Sequence, residues 1–235
     1  DHRLVWRRFS EKFHLLRGTA SYNWFSYEFK FVLGIDEIPD AENADRLYDA
    51  LSEKLASPEF QPRVLMDRLN IDVLCTTDGA ADPLTAHAAI RASNWTDRVR
   101  PTFRPDSMVA LSSPGFPDEI AKLSAASGIE VCSFVPYLEA LRKRRAFFKG
   151  MGAASTDHGV MMAKTGRLPQ EKLEALFQLG LSGKATPAQE RKFAGHMMLE
   201  FAEMSCEDGL VMQFHPEVLR NHNRYIFERF GADKG

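Results

Sequence analysis

Leu210-Val211-Met212-Gln213-Phe214-His215-Pro216-Glu217-Val218-Leu219-Arg220-Asn221-His222-Asn223 is the stretch whose reading decides the fold. Leu210 to Phe214 is apolar but for Gln213 and follows the turn pair Asp208-Gly209, the pattern of a short buried strand. Pro216 brings no N–H to a neighbouring strand, so the ladder is expected to end before it, with His215 at the carboxyl end. In an α/β barrel that rim is where ligands and metals are held. Arg220, Asn221, His222 and Asn223 follow, a set of donors suited to an anionic, hydroxyl-rich ligand. A plainer reading stands beside this one: a strand, a turn and a polar helix start, with His215 a hydrogen-bonded structural residue.

Upstream, the same rhythm recurs. Ile71 to Cys75 reads as a strand with Thr76-Thr77-Asp78-Gly79 as its loop, and Asp82-Pro83 opens a helix over Leu84 to Ala92. Val99 to Phe103 is the next strand, ending in Arg104-Pro105-Asp106. Gly128 to Phe134 is a third, before a helix over Tyr137 to Lys149. Ala153 to Thr156 is a fourth, ending in Asp157-His158-Gly159. Helices over Gln170 to Leu179 and Pro187 to Met204 lead to the fifth strand. Strands alternating with helices imply a parallel sheet covered by helices. Residues 1–70 have a different texture. Leu4, Val5, Phe9, Phe13 and Leu16 recur at helical steps, a dense aromatic run extends from Tyr22 to Phe31, and amphipathic helices are expected over Asp40 to Leu55 and Pro62 to Leu69. The aromatic run reads as core packing.

Composition narrows the function classes. The 235 residues can bury a large core as one domain or two. Thirty basic against 32 acidic residues give no polyanion-binding signature, which argues against nucleic acid as a partner. There is no uncharged apolar run long enough for a membrane span, and Asp1-His2-Arg3 does not open a signal peptide. Cys75, Cys132 and Cys206, odd in number and widely spaced, read as reduced, mostly buried cysteines of a cytoplasmic protein.

Four of the five strand candidates end in ionisable residues: Asp78; Arg104 and Asp106; Asp157 and His158; His215. Asp favours caps and turns for local reasons, and that reading is preferred for Asp78 and Asp82. Arg and His are not general turn formers, so their recurrence at one rim points to a site. The phosphate-binding loops GxGxxG and GxxxxGK[ST] do not occur, nor do GxSxG and HExxH. Arg142-Lys143-Arg144-Arg145 reads most simply as a solvated helix face. His2, His14, His87, His196 and His222 lack ligand spacing and read as structural or exposed.

Together, Thr76-Thr77-Asp78, Pro101-Thr102-Phe103-Arg104-Pro105-Asp106, Ser155-Thr156-Asp157-His158 and Gln213-Phe214-His215…Leu219-Arg220-Asn221-His222-Asn223 resemble, in order and approximate spacing, the motifs of uronate isomerases. Gly18-Thr19-Ala20-Ser21-Tyr22-Asn23-Trp24 and Glu28 resemble the helical insertion of that family. The sequence departs from the family pattern at Gly79-Ala80, at Ser107 where a Lys is usual, at Pro216-Glu217-Val218 and at His222. It holds no His-x-His pair of the kind the family carries after its first strand, so a piece of a longer polypeptide is expected.

The resemblance implies the amidohydrolase superfamily and a distorted (β/α)8 barrel. Residues 1–70 would be a mostly helical insertion region and residues 71–235 part of the barrel. It implies interconversion of aldose and ketose hexuronates, glucuronate to fructuronate and galacturonate to tagaturonate, through an enediol-like intermediate. A divalent metal, often zinc, is implied as cofactor, with His215 as a ligand. Arg104 and Arg220 would clamp the substrate carboxylate, aided by Asp106 and Asn223, while Asp157 and His158 would serve catalysis, the principal acid–base group lying outside this chain. The expected partner is the small-molecule hexuronate, with a homo-oligomer also in view. A metal-dependent hydrolase of the same superfamily and a non-catalytic barrel remnant are the alternatives.

Overall fold

The computed structural model describes every residue except Asn94, Thr96, Asp97, Met161, Glu217, Val218, Arg220, Asp233 and Gly235. The chain divides into two compact units, Asp1–Asp72 and Val73–Gly235.

The first unit is helical. Asp1 caps α1 (His2–Lys12) by accepting from the amides of Arg3 and Leu4, two of the donors that a helix start leaves unpaired. A 3₁₀ turn (Phe13–Leu16), α2 (Ala20–Tyr27) and a single π turn (Glu28–Val32) follow. The aromatic run forms a core as its composition implies: Phe13 and Phe29 are buried, with Phe9, Tyr22 and Phe25 packed around them. Edge-on contacts such as Phe9–Phe13 at 5.4 Å and Phe9–Phe25 at 5.3 Å suit the ring quadrupoles. Leu47 and Leu51 of α3 (Ala44–Ala56) are buried, and Arg3 and Arg7 reach from α1 to Asp45. A last helix, α4 (Pro62–Arg68), closes the unit.

In the second unit, parallel strands carry the site and helices cover their other face. The strands are β1 (Leu74–Cys75), β2 (Asp78–Gly79), β3 (Val99–Arg100), β4 (Phe103–Arg104), β5 (Ser155–Val160) and β6 (Val211–Pro216). Amides of Leu74, Thr76, Asp78 and Ala80 donate to the carbonyls of Arg98, Arg100, Thr102 and Arg104 at 2.9–3.1 Å. That even spacing makes β1–β2 and β3–β4 one continuous parallel ladder. The order continues β2-β4-β5-β6, with Phe103 opposite Thr156 and Gly159 opposite His215.

The helices are α5 (Thr85–Arg91), α6 (Asp106–Val109), α7 (Phe116–Ser127), α8 (Phe134–Gly150), α9 (Gln170–Leu181), α10 (Pro187–Asp208) and α11 (Arg224–Phe230). Thr186 opens α10 with a capping box, its hydroxyl accepting from the Gln189 amide while the Gln189 side chain accepts from the Thr186 amide. Phe103, Phe116, Phe134, Tyr137, Phe148, Phe177 and Phe193 fill the core between sheet and helices. Each such ring contributes about 1.5–3 kcal/mol by leaving water. Among the described residues no helix is long and apolar enough to cross a membrane.

Several expectations are corrected. Gly128 to Phe134 is not a strand: residues 128–133 connect α7 to α8, and Phe134 opens α8. Ile129 and Val131 do pack on the core, yet their amides donate to the hydroxyls of Ser127 and Ser124, which bend the backbone away from a ladder. Asp157, His158 and Gly159 lie within β5 rather than after it, and His215 and Pro216 lie within β6. Proline is tolerated there because it pairs at the end of β6, the outer strand of the sheet among the described residues. Arg144 and Arg145 are not on a solvated face: both are buried, because Leu141, Arg144, Arg145 and Phe148 form the inner stripe of α8. Arg144 donates to the carbonyls of Ala80, Asp82 and Ala126. Arg145 donates from Nε and Nη2 to Asp208 at 2.6 and 2.9 Å. Cys75, Cys132 and Cys206 are free thiols, as expected, but exposed rather than buried.

Candidate active site

Side chains alternate between the two faces of a strand, so residues two apart share a face. Cys75 and Thr77, then Thr102 and Arg104 of β4, Asp157 and Gly159 of β5, and Gln213 and His215 of β6 all face one way. They line a single cavity of about 580 Å³, joined by Asp106 at the start of α6 and by Val160. The opposite set, Thr76, Asp78, Phe103, Thr156, His158 and Met212, faces the helices. The strand period therefore brings Arg104, Asp157 and His215 together and separates Asp157 from its neighbour His158.

Arg104 is the cationic centre. Its Nε donates to Asp106 Oδ2 at 2.7 Å, and its Nη1 lies 3.5 Å from Asp157 Oδ2. The hydrogen bond that it donates to Asp106 holds the guanidinium above the ordinary arginine value, so it is charged at every working pH. Asp106 has a second role in the backbone: its Oδ1 accepts from the Gly159 amide at 3.0 Å. A Cβ at position 159 would meet Asp106 Oδ2 at 2.7 Å and Arg104 Nη2 at 2.8 Å, so glycine there lets both side chains keep these positions and any other residue would displace them.

Asp157 is buried to 9% side-chain exposure, and its Oδ1 lies in close contact with Nε2 of the half-exposed His215. That contact lacks the alignment of a hydrogen bond, and Oδ1 is left without a hydrogen-bond partner among the described residues. An orphaned buried carboxylate oxygen beside an imidazole nitrogen fits two donors of a divalent metal site. Among the described residues, no group of three such donors comes together.

The other expected site residues lie elsewhere. The His158 ring is buried behind β5, 5.1 Å from the Phe201 ring and 5.6 Å from that of Phe214, and its Nε2 shares a 2.9 Å hydrogen bond with Thr156 Oγ1. Burial first, then the charges of Arg145 and Arg104, push its pKa down to about 4, which leaves a neutral imidazole near pH 7. Asn223 caps α11 through its Oδ1, which accepts from the Ile226 amide, and does not line the cavity. Arg220 lies outside the described residues. Asp82 takes the local role expected of it, accepting from the Leu84 amide. Asp78 accepts instead from the Thr76 hydroxyl, which also bonds to buried His87. Buried His196 accepts from the Leu168 amide, a structural role that fits its lack of ligand spacing.

Sequence reasoning passed over five cavity residues: Thr77, Thr102, Gln213 and Gly159, which sat inside quoted stretches, and Val160, which did not. The available signal was the period of two, which puts Thr102 beside Arg104, Gln213 beside His215 and Gly159 beside Asp157.

Residues 2–235 match the family model described as glucuronate isomerase. The chain is 47% identical over its whole length to uronate isomerases of Nostoc punctiforme and Rhizobium meliloti and covers 50% of each. In structure it is similar to a glucuronate isomerase from Caulobacter crescentus, with a TM-score of 0.94 at 42% identity, covering 100% of this chain and 49% of that one. A uronate isomerase from Thermotoga maritima, 24% identical, shares the fold with a TM-score of 0.92 over 100% of this chain and 52% of that one. The chain spans about half the length of the curated relatives it matches. With a match along nearly all of its residues, the chain belongs to the glucuronate isomerase family.

Proposed function

We propose that the complete protein interconverts aldose and ketose hexuronates, glucuronate to fructuronate and galacturonate to tagaturonate. The observation that carries this reading is the convergence of Arg104, Asp157 and His215 on one cavity face, in a chain of this family. Residues 1–70 are read as the helical insertion and residues 71–235 as part of a distorted (β/α)8 barrel. Four parallel strand lines among the described residues (β1–β2, β3–β4, β5 and β6), with covering helices, support that reading. The three free thiols accord with a reducing, cytoplasmic setting.

Isomerisation moves a proton between adjacent carbons and another between their oxygens, through an enediol-like intermediate. It requires a held carboxylate, a positioned hydroxyl and relief of developing negative charge. Arg104 is assigned the carboxylate, since a guanidinium presents two parallel donors to it. Asp157 accepts from a substrate hydroxyl and fixes its orientation, while Thr77 and Thr102 line the same wall with hydroxyls. His215 and Asp157 would hold a divalent metal, zinc by donor chemistry, and such an ion would supply a Lewis acid for the hydroxy-carbonyl group. Neutral His158, shielded behind β5, is not assigned the proton transfer; it packs the strand that presents Asp157.

The test is ketose formation from glucuronate and from galacturonate by the complete protein, run beside an amide and ester hydrolase panel. Isomerisation with negligible hydrolysis is expected. Hydrolysis without isomerisation would overturn the reading in favour of a metal-dependent hydrolase.

A further inference from the structure

We infer that Asp106 is a positioning residue for Arg104 and not a contact of the substrate, an inference that deepens the proposed hexuronate reading and rests on it. Asp106 lines the cavity, and its charge and place suggest a hydroxyl acceptor. Its bonds say otherwise. One carboxylate oxygen accepts from Arg104 Nε at 2.7 Å and the other from the Gly159 amide at 3.0 Å. Asp106 thus bridges two parallel strands, joining the side chain that ends β4 to the backbone of β5.

The bridge has a directional consequence. A guanidinium offers a side edge, built from Nε and one terminal nitrogen, and an end edge built from the two terminal nitrogens. Asp106 occupies Nε, which leaves the end edge for a ligand. Nη1 faces Asp157 at 3.5 Å, and Nη2 lies over Gly159, 2.8 Å from where a Cβ would be. The absent side chain at position 159 is what lets Nη2 come this close to β5. Asp106 and Gly159 therefore fix which edge of Arg104 meets a carboxylate.

Asp106→Asn retains shape but not function in this bridge. Both partners are donors, and an amide has only one acceptor oxygen, so one of the two bonds is lost whichever way it flips. Gly159→Ala disturbs the same geometry without removing a charge.

The experiment is a double-mutant cycle on the complete, metal-loaded protein with Arg104→Lys, Asp106→Asn and the double variant, plus Gly159→Ala. Two quantities are read: kcat and KM for glucuronate, and the Kd of D-gluconate, a monocarboxylate that cannot undergo the reaction, by calorimetry. Asp106→Asn and Gly159→Ala are expected to raise KM and the gluconate Kd about tenfold with kcat within about threefold, as loss of an oriented charge-assisted bond implies. The double variant is expected to bind gluconate no more weakly than Arg104→Lys alone, because both changes remove one unit. A purely structural Asp106 would lower the melting temperature without this split between KM and kcat. The inference is overturned if Asp106→Asn leaves KM and Kd unchanged, if the two losses multiply in the double variant, or if the wild type does not bind gluconate. If Asp106→Asn does not fold, Gly159→Ala carries the same comparison. If gluconate binding shows the coupling but the wild type does not isomerise glucuronate, the catalytic reading falls and the positioning role stands.

Discussion

Arg104 and His215 share a cavity wall but are expected to fail in different ways. Arg104→Lys keeps the positive charge and loses the planar fork, along with the Nε donor that meets Asp106. Losing a charge-assisted bond costs on the order of 1.5–3 kcal/mol, about a ten- to hundredfold fall in kcat/KM, with metal content unchanged. His215→Ala removes an imidazole that stands against Asp157 and is expected to lower metal content or metal-dependent rate about ten- to a hundredfold. Metal analysis and kinetics on the two purified variants separate the roles: full kcat/KM in the first, or intact metal and rate in the second, removes the assignment. At this scale the sequence was only partly legible. Arg104 and His215 stood out because Arg and His are not general turn formers, and Asp157 stood out with them as a residue at a strand end of the same rim. His158 was grouped with Asp157 because the strand was expected to end at Thr156, which put both residues in the turn after it. Once it lies in β5, alternation sends the two side chains to opposite faces.

Among the elements, α8 and α10 are tied by a pair that composition alone hides. Arg145 is buried to 1% side-chain exposure and depends on Asp208, 63 residues away at the end of α10. Gly209, at φ 77°, then turns the chain into β6, so the pair also anchors the strand that carries His215. Helical spacing puts Arg144 and Arg145 on one stripe with Leu141 and Phe148, a signal that sequence reasoning passed over: four consecutive basic residues read as solvated because the partner could not be seen locally. Burial alone would raise the Asp208 carboxyl; the two hydrogen bonds from Arg145 and one from the Leu210 amide bring it below the ordinary value. A folded pKa below the unfolded one gives stability that is full above about pH 4 and is lost as pH falls through the folded value. Asp208→Asn strands a buried guanidinium and is expected to cost about 3 kcal/mol near neutral pH. Urea unfolding of both proteins between pH 7 and pH 3 checks this: the gap is expected to narrow towards the acid end, and a constant gap or none would count against the pair.

At the level of the whole chain, the parallel α/β character was legible from the alternation of short apolar runs with helices, whereas strand boundaries were not. Continuity of the ladder from Leu74 to Ala80 rests on backbone pairing with Arg98 to Arg104, and that pairing is not written in any local pattern. Among the described residues the sheet ends at β6, which pairs only with β5 and exposes Val211 to 65% and Phe214 to 42%. A paired strand with one unfilled side presents a row of amides and carbonyls to any other strand, and apolar side chains beside that row strengthen the attraction. Leu219, Tyr225, Phe227 and Phe230 are exposed nearby in sequence and add to the uncovered apolar surface. Residues 1–235 produced alone are therefore expected to self-associate or to unfold over a broad range, whereas the complete protein unfolds sharply. Sedimentation velocity over a concentration series, with calorimetric melts, decides between the outcomes. A monomer with one cooperative transition would show that the edge of β6 is stable without further strands.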